Sequence, residues 1–245
     1  MSLNSLFNVP AAVMLPTLSV IGALALFRPC HKLGLNSIRQ WLSADVVTVL
    51  NDIHPAWWAV SPAIAVLVAY TSAHWSFDSY EMMIAFCTLS GALAATLTTL
   101  IRFDVLCRLL PDSLTALLVI SGLLFNGLFG PHSFIVALFG AVMGYGLPWL
   151  MTFIWKRIRK TSATMGRGDF AMTAGIGAWL GWQSLPMAIT IAAGLALLMV
   201  LIERNFFPHR KVLSTAENDA KFLQHEVAFG PALAVAAVIT WMQIG

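Results

Sequence analysis

Residues 82–101, MMIAFCTLSGALAATLTTLI, form an apolar run without a charge, closed by Glu81 on one side and Arg102 on the other. A helix rises about 1.5 Å per residue, so this run reaches about 30 Å, the thickness of a bilayer's hydrocarbon core. Working outward from it, charge-free apolar runs recur at about 9–27, 56–71, 113–129, 133–154, 170–184, 186–202 and 228–243. Hydrophobic residues make up 59% of the 245-residue chain and charged ones 10%, against roughly 25% charged in ordinary soluble domains. The mean hydropathy is +0.81. So few charges cannot coat a water-facing surface. The sequence predicts an all-α integral membrane protein of about eight transmembrane helices, with residues 1–245 forming a single polytopic membrane domain. It leaves no room for a large soluble domain. The first ten residues, MSLNSLFNVP, carry no Lys or Arg, unlike the basic start of a cleavable signal peptide, so the first run is expected to be a retained span.

The 14 basic residues set the orientation. Arg28, Lys32 and Arg39 follow the first run, and Arg102 and Arg108 the third. Lys156, Arg157, Arg159, Lys160 and Arg167 follow the fifth, and Arg204, Arg210, Lys211 and Lys221 the seventh. All fall in alternate connections. By the positive-inside rule these main loops, including a loop over residues 28–55, are cytoplasmic and both termini lie outside. Residues 35–52 read as an amphipathic helix on that face. The spacings Gly140/Gly144 and Gly177/Gly181, with Gly91/Ala95 weaker, suit close helix packing in lipid. Trp57, Trp58, Trp75, Trp149, Trp155, Trp179, Trp182 and Trp241 lie near span ends, where belt aromatics sit. The basic WKRIRK at 155–160 reads as a lipid contact beside a span rather than a nucleic-acid patch.

Most of the eleven acids fall in loops and read as solvated charge. Three do not. Asp112, in LLPDSLTALLVI, suits a helix start. Asp104 follows the third run directly, in TTLIRFDVLC, and Asp169 opens the sixth, in TSATMGRGDFAMTAGIGAWLGWQSLP. From Asp169 to the turn at Gln183 is roughly 22 Å of helix, short of a core of about 30 Å. Either the sixth span is half-sunk or Asp169 lies below the cytoplasmic surface in a cavity, where ionisable groups are costly and mark function. Two close carboxyls sharing a proton supply the base and the acid that amide hydrolysis needs. The opposite backbone fields at the two helix ends assign Asp169 the base role and Asp104 the acid role. Gly166 and Gly168 allow unusual dihedrals and remove side chains, so that an extended backbone can come close to the carboxylate. From these residues alone, an ion-coupled transporter using Asp104 and Asp169 as ion ligands also stands. A membrane scaffold explains the packing glycines but not the two aspartates.

Two blocks resemble the bacterial type IV prepilin peptidases, a family of GxGD intramembrane aspartyl peptidases. One is residues 104–126, DVLCRLLPDSLTALLVISGLLFN, with an aspartate eight residues before that of the LPD string; the other is residues 166–186, GRGDFAMTAGIGAWLGWQSLP. Phe229-Gly230-Pro231 is a third, shorter match. The resemblance places a peptidase motif region at 100–202 and puts the catalytic pair on Asp104 and Asp169, with Gly166, Arg167, Gly168 and Asp112 supporting. It implies a multi-pass protein of the bacterial inner membrane that removes the short basic leader of a prepilin or pseudopilin. Lipid is the other partner, and no nucleic acid is implied. It implies no cofactor for cleavage, and S-adenosylmethionine only if the new amino terminus is also methylated. This chain departs from the pattern at Ala171, where a Lys is common, and at Arg167, where an aromatic is usual, so that Arg167 can replace the missing cation. Residues 28–55 hold Cys30 but no paired CxxC motifs, which argues for a short form with no zinc. The six histidines show no metal-binding spacing.

Overall fold

The computed structural model describes residues 11–42, 44–71, 80–129, 133–159, 166–206 and 229–244. Among them are nine α-helices and no strand. They are α1 (Ala11–Ile38), α2 (Ala44–Asn51), α3 (Pro55–Thr71), α4 (Tyr80–Cys107) and α5 (Asp112–Phe129). These are followed by α6 (Phe134–Arg159), α7 (Arg167–Leu180), α8 (Leu185–Phe206) and α9 (Gly230–Ile244). A 3-10 turn, Arg39–Trp41, joins α1 to α2. Each of the eight apolar runs has its helix.

Five helices are long and apolar enough to cross a membrane by themselves: α1, α4, α5, α6 and α8. The others are shorter. At about 1.5 Å per residue, α7 reaches only about 21 Å and α9 about 22 Å. Length and composition thus mark five of the eight runs as able to cross without help from neighbours. The short helices are held by protein instead. From Met172 to Leu180 every residue of α7 is buried, because Thr173, Ala174, Gly175, Gly177 and Ala178 let neighbours close around it. In the most apolar stretch of α4, 67% of residues are buried, against 28% in α6 and 17% in α8. So α4 and α7 form the centre, and α6 and α8 turn faces such as Ile135, Phe139, Val142 and Leu197 outward, as lipid contact requires.

The glycine spacings are used as close approaches. A Cβ on Gly140 of α6 would run into the carbonyl of Gly177, and one on Gly144 into the carbonyl of Thr173. On the other side of the bundle, a Cβ on Gly91 of α4 would stand 2.8 Å from the backbone of Gly22 and Ala23 on α1. Gly181 ends α7 with φ 75°, a conformation glycine adopts without a steric cost. The carbonyls that α7 leaves unpaired at that end are taken up by Asn126, whose Nδ2 donates to Ala178 O (2.9 Å) and Trp179 O (3.1 Å).

Several sequence expectations change. Trp179 and Trp241 are not belt residues but core: both are buried, their rings 6.0 Å apart, and Trp179 Nε1 donates to Leu118 O at 3.1 Å. Trp149, Trp155 and Trp182 are exposed, as a belt requires. Residues 28–55 are mostly helical rather than loop. The first span's helix runs on to Ile38, so Arg28 and Lys32 stand within α1, and Arg28 packs 5.0 Å over the Trp58 ring. The amphipathic helix read over 35–52 is divided among the end of α1, the 3-10 turn and α2. Arg102 stands inside α4 and is buried; the helix of the third apolar run continues past the charge that closes that run. Trp75, Lys160, Arg210, Lys211 and Lys221 lie outside the described residues.

Candidate active site

Asp104 occupies the last turn of α4 and is buried at 5% exposure. That turn closes on Arg108, whose N–H donates to Asp104 O at 3.0 Å and whose φ of 55° reverses the chain. Residues 108–111 then lead into α5. Asp112 is its first residue and is exposed. The Asp104 carboxylate does not face an open void. Its Oδ2 accepts the backbone N–H of Gly230 at 2.8 Å. Gly230 begins α9, and the first N–H groups of a helix lack intrahelical partners and favour an anion. A Cβ at position 230 would stand 2.7 Å from the same oxygen, so only glycine lets the helix start come this close.

Asp169 is the third residue of α7 and half-buried. Its N–H donates to Gly166 O at 3.1 Å, and its own carbonyl accepts Thr173 Oγ1 at 2.8 Å, which fixes the first turn of the helix. Arg167 opens α7 and is exposed. The two glycines serve space rather than dihedral freedom. Gly166 is extended at φ −65°, ψ 148°, ordinary values for any residue. A Cβ there would stand 3.4 Å from Asp169 Oδ2. Gly168 receives a side chain: a Cβ on it would stand 2.6 Å from that of Leu110. Of the two properties these glycines offer, the missing side chain is the one used: the dihedrals of Gly166 are ordinary, and both positions have a close neighbour.

That Leu110–Gly168 contact matters for the pair. Leu110 lies six residues after Asp104 in the short α4–α5 connection, and Gly168 precedes Asp169. Both aspartates therefore stand at the same end of the bundle, one closing a helix and one opening a helix, with the α9 start beside the first. Asp112 shares that end but points to the surface. Gly230 is the residue that sequence reasoning noticed within FGP and gave no role; 126 positions separate it from Asp104, and no local pattern reports such a partner. Among the described residues no group of three His, Cys, Asp or Glu side chains could hold a metal ion.

Gly230→Ala tests the approach directly. The added methyl must push Asp104 or α9 aside, and if Asp104 takes part in the chemistry a displacement of this order costs roughly a hundredfold in rate. The expected result is a loss of at least tenfold in turnover, with the protein still extracted and folded in detergent; full activity in Gly230→Ala removes Gly230 from the site.

Fold and site define a polytopic all-helical membrane protein with carboxyls at a helix end and at a GxGD helix start. Residues 91–201 match the type IV leader peptidase family, a span that contains Asp104, Asp112 and Asp169. Over that region the chain resembles the type IV prepilin peptidase family. It is 36% identical over 146 residues to a prepilin leader peptidase/N-methyltransferase of Escherichia coli (strain K12), covering 58% of this chain and 56% of that protein. It is 40% identical over 154 residues to one from Pectobacterium carotovorum subsp. carotovorum (62% and 50%). Over 173 residues it is 31% identical to one from Neisseria gonorrhoeae (68% and 59%). The chain spans about half the length of these curated relatives. No solved structure matches it significantly. The transporter reading finds no support in these comparisons.

Proposed function

We propose that this chain is a membrane aspartyl endopeptidase that removes the short basic leader from a prepilin or pseudopilin at the cytoplasmic face of the bacterial inner membrane. The observation that carries the reading is the match over residues 91–201, which spans both helix-end aspartates. Burial shields Asp104 from water, and the bond from Gly230 N–H occupies Oδ2, so in the acid role the proton sits on Oδ1 of a carboxyl held in a fixed position. In the proposed reaction Asp169 takes a proton from water as the water oxygen bonds to the scissile carbonyl carbon. Asp104 then gives its proton to the amide nitrogen as the C–N bond breaks. The pair ends with its one proton on the other carboxyl and is reset by proton exchange. Because the two carboxyls act as a unit, the assignment describes the resting microstate.

Gly166 leaves room beside Asp169 for an extended peptide, and Arg167, exposed two residues away, supplies the cation near the carboxylate. The short helices complete a bundle of eight, both termini outside, in which α7 starts below the cytoplasmic surface; the substrate's own apolar helix lies in lipid beside it. Two carboxyls and a water suffice for cleavage, so no metal or cofactor is assigned to it. S-adenosylmethionine belongs to N-methylation alone.

The test is co-expression with a panel of prepilins and a mobility shift on a gel, followed by the mass of the mature amino terminus. Loss of the leader supports the peptidase reading, and an added 14 Da, the mass of roughly one CH₂, reports methylation. A panel left wholly uncleaved overturns the peptidase reading.

A further inference from the structure

Three consecutive residues at the end of α4 reach three different helices. Arg102 reaches α2: its Nη2 donates to Leu50 O at 2.8 Å and to Asp52 O at 2.9 Å. Its Nη1 lies 3.1 Å from both ring nitrogens of His31 on α1. Phe103 reaches α1, its ring stacked on His31 at 5.3 Å and its edge 2.8 Å from where a Cβ on Gly34 would be. Asp104 reaches the start of α9 through Gly230. All three side chains are buried, Arg102 at 1% exposure.

An arginine buried at the end of an apolar span is costly, and such groups are kept for a reason. The partners of this one supply it. The carbonyls of Leu50 and Asp52 stand at the C-terminal end of α2, where backbone acceptors have no intrahelical donors and a cation is favoured. The planar guanidinium fork meets both carbonyls and the imidazole at once, which a lysine ammonium on its flexible stem cannot do. The arrangement holds the last two turns of α4 against α1 and α2 from one side, while Asp104 presents its carboxylate to α9 on the other. One buried hydrogen-bond donor, Nε, is left without a partner among the described residues, so the fork is committed to these contacts even at the expense of its own full satisfaction.

We propose that Arg102 is a positioning residue for Asp104: by fastening α2 and His31 to α4 it fixes the register of the turn that carries the acid. The proposal rests on the reading of Asp104 as catalytic. It assigns to Arg102 an effect on turnover rather than on substrate binding, because the guanidinium is buried and its bonds run within the protein.

The experiment is steady-state cleavage of a detergent-solubilised prepilin by the purified full chain, with Arg102→Met, Arg102→Lys and Asp104→Asn, each rate referred to the folded fraction on size exclusion. Arg102→Met is expected to lower kcat roughly a hundredfold with KM within about twofold of wild type, and Arg102→Lys to recover part of the loss. Wild-type kcat in folded Arg102→Met, or a rise in KM alone, overturns the proposal. If Arg102→Met does not fold, Arg102→Lys decides, wild-type turnover counting against the proposal and a lowered kcat for it. Asp104→Asn separates the two levels. If it cleaves, the catalytic reading fails and the positioning role falls with it; if it is dead while the Arg102 variants run at full rate, only the positioning role is lost.

Discussion

Asp104→Asn and Asp169→Asn are each expected to abolish leader cleavage, and Asp112→Asn is expected to cleave within about threefold of wild type. An asparagine keeps the volume and much of the hydrogen bonding of an aspartate but can neither take nor give the proton. Loss of general acid–base catalysis at one position costs about 10²–10⁴-fold, and two groups that act as one unit lose nearly everything when either goes. Asp112 differs in its setting: it is exposed in the first turn of α5, where an acid suits the helix start and an amide serves almost as well. The measurement is the mobility shift of a co-expressed prepilin, with equal membrane levels of the three variants checked by immunoblot. Cleavage by either Asn variant at the first two positions removes the pair as the catalytic unit. Loss of cleavage in Asp112→Asn would instead bring a third carboxyl into the chemistry.

The parts of this arrangement that were legible in the sequence are those the bilayer imposes. A charge-free run must become a helix because lipid offers no partner for an open backbone, so each of the eight runs could be located from hydropathy alone. The same rule misplaces ends. It stops a span at the first charge, which set Arg102 in a loop, whereas α4 runs on to Cys107 because α1 and α2 supply protein partners for the guanidinium. Trp179 and Trp241 misled for a related reason. A tryptophan near a span end reads as a belt residue, and only the packing of α5, α7 and α9 reveals that both rings are enclosed.

Both aspartates were legible because an acid beside an apolar run is rare and costly. What held Asp104 was not, since Gly230 acts through its backbone and carries no chemical signature of its own. The short reach of the sixth run was legible as arithmetic, but its meaning was not. Its small residues could face lipid or protein, and the structure gives them to α5 and α6. A helix of 14 residues enclosed in this way is held by its protein neighbours rather than by its own length, while its first turn, with Arg167 exposed and Asp169 half-buried, stays accessible.

Gly140→Leu is expected to be the most damaging substitution remote from the aspartates, and it acts on the site through α7. The Cβ alone would run into the carbonyl of Gly177, and its next neighbour, the carbonyl carbon of Gly181, lies 3.1 Å away. Backbone cannot rotate aside as a side chain can, so α6 and α7 must separate. Overpacking typically costs 1–3 kcal/mol, and a backbone collision across a glycine interface in lipid, where close van der Waals packing is the main attraction between helices, is expected at about 4 kcal/mol or more. Gly146, on the same helix, has nothing within 4 Å of an added Cβ, and Gly146→Leu serves as the control of equal hydrophobicity. Thermal unfolding in detergent is the first readout, with Gly140→Leu well below wild type and Gly146→Leu close to it. Leader cleavage is the second. Because Asp169 sits on the first turn of α7, a shifted α7 loses turnover even in the fraction that remains folded, and Gly140→Ala, with a smaller intrusion at the same point, falls between. Equal stability of the two Leu variants would mean that α6 and α7 are not held by this contact, and full turnover in folded Gly140→Leu would mean that the position of α7 does not set that of Asp169.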